Sequence, residues 1–269
     1  MSPIVHTATL LSSKGAIIGA LQGFVAATSA SASATTPTSY GKFSIEDLST
    51  LKVSGRTNML LIYTPALVYS GYKVLEMGGL PGGFDDRIAL TASALVTHFA
   101  KRVLETLFVH KYSSRVNPAV GGFIGIYYAL VCGIILSFQS ALGADEYLPW
   151  CLAAGASLFV IGEVGNFVHH LYLAALRPKE VDAADVMAVQ KSYKVPQAGL
   201  FSQVVCPHYL FELIAWLGIA VMTQEIHAYL VFLSMTSYLA GRSQAQKKWS
   251  IEKIPGFPKE RKKMVPGLF

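Results

Sequence analysis

Long apolar segments, separated by short charged loops, limit what this chain can fold into more than any other feature. They cover residues 57–74, 88–110, 121–138, 148–173, 211–222 and 228–241. A membrane-crossing helix needs roughly 17–25 residues, so we expect the last two to extend into 201–210 and 243–249. The segments lack the alternating period of barrel strands, and lipid requires internally satisfied backbones. The sequence therefore predicts an all-α integral membrane protein, a conclusion supported by its charged fraction of only 14%.

Residues 1–50 differ in character from the rest of the chain. The first 45 residues contain no Asp or Glu, and an apolar run at 16–27 precedes a tract rich in Ser, Thr and Ala at 28–39. This pattern is compatible with a transmembrane helix plus a flexible linker, a cleaved signal peptide with its A-x-A-like site at 31–34, or an organellar transit peptide. We favour the helix, and treat 1–50 as a possible targeting segment ahead of a membrane domain at 51–269.

Loop charge predicts the orientation of the helices. Basic residues dominate the loop at 101–115 and the tail at 242–263, and the loop at 177–194 holds four Lys or Arg. The loops at 143–146 and 223–227 carry acidic residues and no Lys or Arg. Basic loops stay in the cytosol, so the alternation indicates a bundle of about seven transmembrane helices with a cytosolic C-terminus, surrounded by membrane lipids. A basic tail can also bind nucleic acid, but one that follows a span more often marks the cytosolic side. We expect no nucleic-acid partner, and the absence of a visible repeat argues against a transporter.

One apolar segment carries polar groups on a single helical face. At helical spacing, Glu163, Asn166 and His170 lie on one side, and Arg177 follows two turns later. A polar group at mid-bilayer costs a few kcal/mol unless it is satisfied, so such residues indicate either a functional site or hydrogen bonds between helices. The rings of His169 and His170 point about 100° apart on a helix, and the three cysteines lack CxxC spacing. We therefore predict no metal site and no disulfide.

A second polar face follows in the next apolar segment. His208, Glu212 and Trp216 recur every four residues, so imidazole, carboxylate and indole share one side of a helix. Such a face could bind the polar end of a ligand, for example an amide or a ribose. An interfacial aromatic belt would account for Trp216 but not for Glu212.

Five runs in this order resemble a known family. Three of them are similar to trans-2-enoyl-CoA reductases: 105–113, 165–167 with 176–178, and 216–224. The run at 193–201 is closer to steroid 5-alpha-reductases. The ending at 257–269 is similar to both. The resemblance covers residues 95–269. It implies a seven-helix bundle in the endoplasmic reticulum membrane that uses NADPH to reduce a carbon–carbon double bond conjugated to a carbonyl. The substrate would be a lipid, either a 3-oxo-Δ4 steroid or an enoyl thioester.

The resemblance also implies which residues bind NADPH. Lys194 stands where the steroid enzymes have Arg, and His208 stands where Asn is usual. A lysine keeps the positive charge but loses the bidentate fork of arginine. The implied cofactor-binding residues are Arg102, Asn166, His170, Arg177, Tyr193, Lys194, His208 and Glu212.

Two departures from the family concern catalysis. Reduction builds negative charge on the carbonyl oxygen, so a donor is needed about 3 Å from that atom. The family has a Glu on its second helix, but the matching stretch 60–65 has no acid, and its third-helix Tyr is replaced in the pair His98-Phe99. Either His98, Tyr63 or Tyr69 supplies the donor, or activity is altered or lost and the chain serves as a membrane scaffold or subunit. The sequence leaves the substrate and the oligomeric state open.

Overall fold

A computed structural model describes residues 5–35, 51–78, 87–112, 114–139, 147–177 and 193–269, which are mostly α-helical. Within these ranges there are seven α-helices: α1 Ser13–Thr35, α2 Gly55–Glu76, α3 Arg87–Leu104, α4 Pro118–Gln139, α5 Pro149–Leu176, α6 Pro207–Thr223 and α7 Ile226–Lys253. A π-helical turn, Glu105–Val109, continues α3, and 3-10 turns lie at Ala8–Leu11 and Gly199–Ser202. Two short strands, β1 Val53–Ser54 and β2 Arg115–Val116, pair antiparallel.

The helices pack mainly as three pairs, α5 with α6, α1 with α7, and α2 with α4, while α3 packs on α2. Successive helices run in opposite directions, so the loops gather at two ends. At one end β1 pairs with β2, and the backbone N–H of Val205 donates to the carbonyl of Lys262. We call this the basic end, because it carries the lysine-rich tail. At the opposite end, the His6 N–H donates to the carbonyl of Gln224, whose side chain bonds Leu148.

Small residues allow two of these pairs to approach closely. A Cβ placed on Gly125 of α4 would lie 2.2 Å from the carbonyl oxygen of Leu61, the acceptor that Pro65 leaves without its usual intrahelical donor. A Cβ on Gly162 of α5 would lie 2.3 Å from the backbone nitrogen of Ala215 on α6. Membrane helices associate through such backbone contacts, because lipid offers little hydrophobic driving force between them.

Of the described helices, α1, α4 and α5 are long and apolar enough to cross a membrane, and α6 is apolar but shorter. In α3 the polar residues Thr91 and His98 face inward and are 0% and 2% exposed, whereas Leu104 is 53% exposed. A helix with its polar side inward has a low mean hydropathy even when lipid surrounds its outer face. The chain is a multi-pass helical membrane protein.

The described residues contain seven α-helices, the number expected, but that all seven cross a membrane stays a prediction. The predicted extension of the last helix beyond residue 241 is confirmed. The predicted extension of α6 into 201–206 is wrong, because the helix begins at Pro207, which has no N–H to donate and forces the preceding residue out of the helical region. The tract at 28–35 is also helical rather than a linker, since α1 runs to Thr35. The loops at 143–146 and 178–192 lie outside the described residues.

Buried polar groups join α1 to α7 at the opposite end. The Gln22 amide donates to the carbonyl of His227 at 3.1 Å, and its oxygen lies 2.8 Å from Nδ1 of the same residue. The Thr9 hydroxyl donates to the Glu225 carboxylate. Glu225 and His227 are fully buried. Because the apolar surroundings offer few other partners, these bonds fix α1 in register on α7.

We expect Gln22→Leu to lower the free energy of unfolding by about 1–3 kcal/mol, because it leaves buried donors and acceptors of His227 without partners. Thermal or denaturant unfolding of the purified protein in detergent measures this difference. Ala20→Leu, on the exposed side of the same helix, is the control and should change stability little. Equal stability of the two variants would show that the Gln22 bonds do not hold α1.

Candidate active site

A buried cluster of polar side chains lies between four helices, towards the basic end. We call it the polar core. Its members are Tyr63 from α2; His98, Lys101 and Arg102 from α3; Glu105 from the π turn; Glu163, Asn166 and His170 from α5; and Glu212 from α6. Helical spacing explains this convergence, since residues three and four apart share a face. The predicted polar face of α5 is turned into the bundle: Asn166 is only 2% exposed.

His98 lies between two carboxylates. Its Nδ1–H donates to Glu163 Oε1 at 2.6 Å, and its Nε2 lies 3.4 Å from Glu212 Oε1. The edge of the imidazole contacts the indole of Trp216, with ring centroids 5.3 Å apart. The two carboxylates and the packed indole hold the ring in one orientation, so His98 is one of the most constrained side chains of the polar core.

Lys101 and Asn166 connect the carboxylates to each other. The Lys101 ammonium donates to Asn166 Oδ1 at 2.6 Å and lies 3.2 Å from Glu163 Oε2. The Asn166 amide donates to Glu212 Oε2 and to the carbonyl of His208, both at 3.0 Å. The predicted polar faces of α5 and α6 therefore meet directly and form one site rather than two.

Arg102 organises the other half of the polar core. Its guanidinium donates to the Tyr63 hydroxyl at 2.6 Å and to Glu105 Oε2 at 2.5 Å, and lies 3.1 Å from Nδ1 of His170. The π turn widens the helix by one residue and carries Glu105, which is 1% exposed. Arg102 thus links α2, α3 and α5 through charge-assisted bonds, which are stronger than neutral ones.

Three potential metal ligands lie close together in the structure. Only one of them, His170, belongs to the adjacent pair His169 and His170 that the sequence offers. Atoms of Glu105, His110 and His170 lie within 4.8 Å of one another. The Arg102 guanidinium, however, already contacts two of the three. A divalent ion would have to displace it or stand beside it, at a cost in charge repulsion. The absence of a metal remains a prediction.

The remaining predicted cofactor residues lie at or beyond the rim of the polar core. Arg177, at the end of α5, donates to the carbonyl of Lys111 at 2.5 Å, and the Lys111 ammonium donates to the carbonyl of Arg177. Both side chains are exposed at the basic end. Tyr193 packs edge-on against Trp249, and Lys194 is exposed. The structure places His208 beside His170, with ring centroids 5.5 Å apart.

Two of the three predicted catalytic residues, His98 and Tyr63, lie in the polar core. Tyr69 lines a shallow apolar groove of about 690 Å³ on the outer side of α2, together with Leu61 and Val68. The described contacts of Tyr69 do not join it to the polar core. Phe99 is fully buried and packs against Tyr128 and Trp216, so the residue that replaces the expected tyrosine contributes only apolar surface.

Sequence reasoning missed three members of the polar core, Lys101, Glu105 and Glu163. Glu163 had been placed on the polar face of α5 but not assigned to the site. The spacing 98, 101, 102, 105 on α3 could have identified the other two, since it defines one helical face. Apart from Arg102, which the family resemblance assigns to the cofactor site, the charges at 101–105 indicate only the cytosolic end of a span.

A buried network of this kind, in a helical membrane bundle, defines the class of protein as a membrane enzyme or binding protein with an intramembrane polar site. Residues 116–269 match the 3-oxo-5-alpha-steroid 4-dehydrogenase family, and the chain belongs to that family.

The chain is also similar to individual relatives, two of which are named reductases. It is 29% identical to a very-long-chain enoyl-CoA reductase of Dictyostelium discoideum, over 70% of this chain and 60% of that protein. A steroid 5-alpha-reductase of Gossypium hirsutum is 33% identical, over 67% of this chain and 69% of that protein. The 3-oxo-5-alpha-steroid 4-dehydrogenase 1 of Mus musculus is 24% identical, over 92% of this chain and 94% of that protein. The matched part of this chain thus spans less than two thirds of the Dictyostelium protein.

We expect Lys101→Met to destabilise the protein by about 3–5 kcal/mol, because it leaves Glu163 and Glu105 as buried carboxylates with one cation fewer. The free energy of unfolding in detergent is the measurement. Lys73→Met is the matched control, since it breaks an exposed ion pair with Glu76 that should contribute at most about 1 kcal/mol. A loss for Lys101→Met no larger than the control's would contradict the proposed role of the lysine.

Proposed function

We propose that this protein reduces a carbon–carbon double bond conjugated to a carbonyl in a lipid substrate, with NADPH as the reductant. One observation carries the proposal. In a chain of this family, cations, amide donors and carboxylates from four helices converge in a single buried polar core next to the basic end. Intramembrane ionisable residues are expensive and serve function by default.

The residues present suit a dinucleotide cofactor. The exposed cations Arg177 and Lys111 at the rim provide positive charge for phosphates. Asn166 and Glu212, deeper in, offer an amide and a carboxylate of the kind that binds a carboxamide or ribose hydroxyls. Arg102, His170 and His208 lie between these two groups of residues. When bound, NADPH supplies a hydride, and the role of the chain is to orient the reactants and stabilise the charge that develops on the carbonyl oxygen.

The fold supports a particular topology. We infer that all seven helices cross the endoplasmic reticulum membrane, with the basic end and the C-terminus in the cytosol. The loops and tail at the basic end hold Lys111, Arg115, Arg177, Lys194 and the lysines of α7, whereas Glu225 lies at the opposite end. Basic loops remain cytosolic, and NADPH is available on that side. A targeting role for residues 1–50 stays a prediction.

The substrate class remains open between a 3-oxo-Δ4 steroid and an enoyl thioester, because relatives of both kinds are similar to the chain. A second candidate function is a catalytically impaired scaffold or subunit. The observation that favours it is the apolar packing of Ile62 and Phe99, which are 3% and 0% exposed and carry no donor where the family resemblance places catalytic side chains.

We expect Arg177→Ala to weaken NADPH binding about tenfold or more, because a charge-assisted bond contributes roughly 1.5–3 kcal/mol. Cofactor fluorescence during titration of the purified protein gives the dissociation constant. Lys73→Ala, which removes an exposed cation near the other end of the bundle, should leave the constant unchanged. If both variants bind NADPH as the unaltered chain does, Arg177 is not part of a cofactor site.

Microsomes that contain the protein and NADPH should convert either a 3-oxo-Δ4 steroid or an enoyl thioester to the saturated product. Mass spectrometry detects the gain of two hydrogens and also identifies the substrate class. If NADPH binds but neither substrate is reduced, the scaffold function is favoured over the reductase.

A further inference from the structure

We propose that Glu163 is a positioning residue that presents His98 as the proton donor of the reaction, in place of the tyrosine expected at Phe99. This inference rests on the proposed reductase function. The site residues inferred from the family resemblance do not include Glu163, and its role follows from the geometry of the polar core alone.

The hydrogen bond between the two residues decides which nitrogen can release a proton. Glu163 Oε1 accepts from Nδ1 of His98 at 2.6 Å, and the two side chains are buried, with residue exposures of 8% and 2%. A carboxylate in this position keeps a proton on Nδ1 in both the neutral and the cationic imidazole. The transferable proton is therefore the one on Nε2, which faces Glu212 and the interior of the polar core.

The rings around His98 fix its direction. The indole of Trp216 and the phenyl ring of Phe99 contact the imidazole edge-on, at centroid distances of 5.3 and 5.0 Å. Neither ring offers an acceptor that could compete for the Nε2 proton. A carbonyl oxygen that replaces the 3.4 Å contact with Glu212 would meet Nε2 directly, which is the geometry that a donor to a developing oxyanion requires.

The charged groups that face His98 carry an excess of negative charge. Glu163 on α5 and Glu212 on α6 carry one negative charge each, and Lys101 on the next turn of α3 carries one positive charge. Arg102, farther along α3, is balanced by Glu105. These groups sum to one negative charge, so the surroundings of His98 accommodate one positive charge.

The proton transfer balances with the hydride. NADPH would supply a hydride to the β-carbon and would be left as NADP+. As the π electrons of the substrate move towards the carbonyl oxygen, the Nε2–H bond of His98 breaks to give an enol and a neutral imidazole. The enol then takes a proton from water at its α-carbon, the resulting hydroxide leaves to solvent, and the O–H proton of the enol returns to Nε2. One hydride and one proton have been added, and His98 is again an imidazolium held by Glu163.

Glu163→Gln in the full-length protein tests this inference. The amide retains the size of the side chain but loses its charge, so we expect kcat to fall about 100-fold and the alkaline limb of the pH–rate profile to move to lower pH. The NADPH dissociation constant should not change. The double variant with His98→Gln should be no slower than His98→Gln alone, because the two residues act as a unit.

Glu225→Gln is the matched control, since it removes a carboxylate that is equally buried but lies at the opposite end of the bundle. It should keep kcat and the pH profile of the unaltered chain. Unchanged kcat and pH profile in Glu163→Gln would overturn the inference while leaving the reductase function intact, and so would a loss of NADPH binding, which indicates a structural role. Absence of turnover by the unaltered chain would overturn the reductase function and the inference together.

Discussion

Charges inside a lipid-surrounded bundle must neutralise one another, and this constraint shapes the structure around the polar core. Lys101 and Arg102 carry two positive charges into the bundle and meet the carboxylates of Glu105 and Glu163, while Glu212 lies against His98 and Asn166. Each isolated charge would cost several kcal/mol to desolvate. The core is therefore stable only when α3, α5 and α6 stand in the one arrangement that brings these groups into contact.

The packing of the helices serves the same requirement. Gly162 lets α5 lie directly against Ala215 of α6, one turn from the pair Asn166 and Glu212. A larger residue at this glycine would separate the backbones and stretch the bonds between the two polar faces. Close backbone contact and hydrogen bonding thus specify the same interface, and the precision that catalysis needs comes from the rigid helices rather than from the loops.

Much of the helical architecture could be predicted from the sequence. The length of each apolar segment and the cost of burying a polar side chain can both be judged within one segment. The seven helices and the inward face of Asn166 follow from those two rules. The rest depends on contacts between distant segments. Nothing near residue 98 indicates that Glu163 will bond His98, and the π turn that buries Glu105 has no clear signal in the sequence. Tyr69 shows that residue type alone is not sufficient. A tyrosine can act as a donor, but this one lies on the face of α2 that lines the outer groove.

We propose that the polar core around Asn166 and Glu212 holds the reactive end of the cofactor. An experimental structure of the protein with NADPH bound would locate the cofactor. We expect density for the nicotinamide within hydrogen-bonding distance of these two side chains and for the phosphates near Arg177. Cofactor density elsewhere, with the contacts of Asn166 and Glu212 unchanged, would rule out this site.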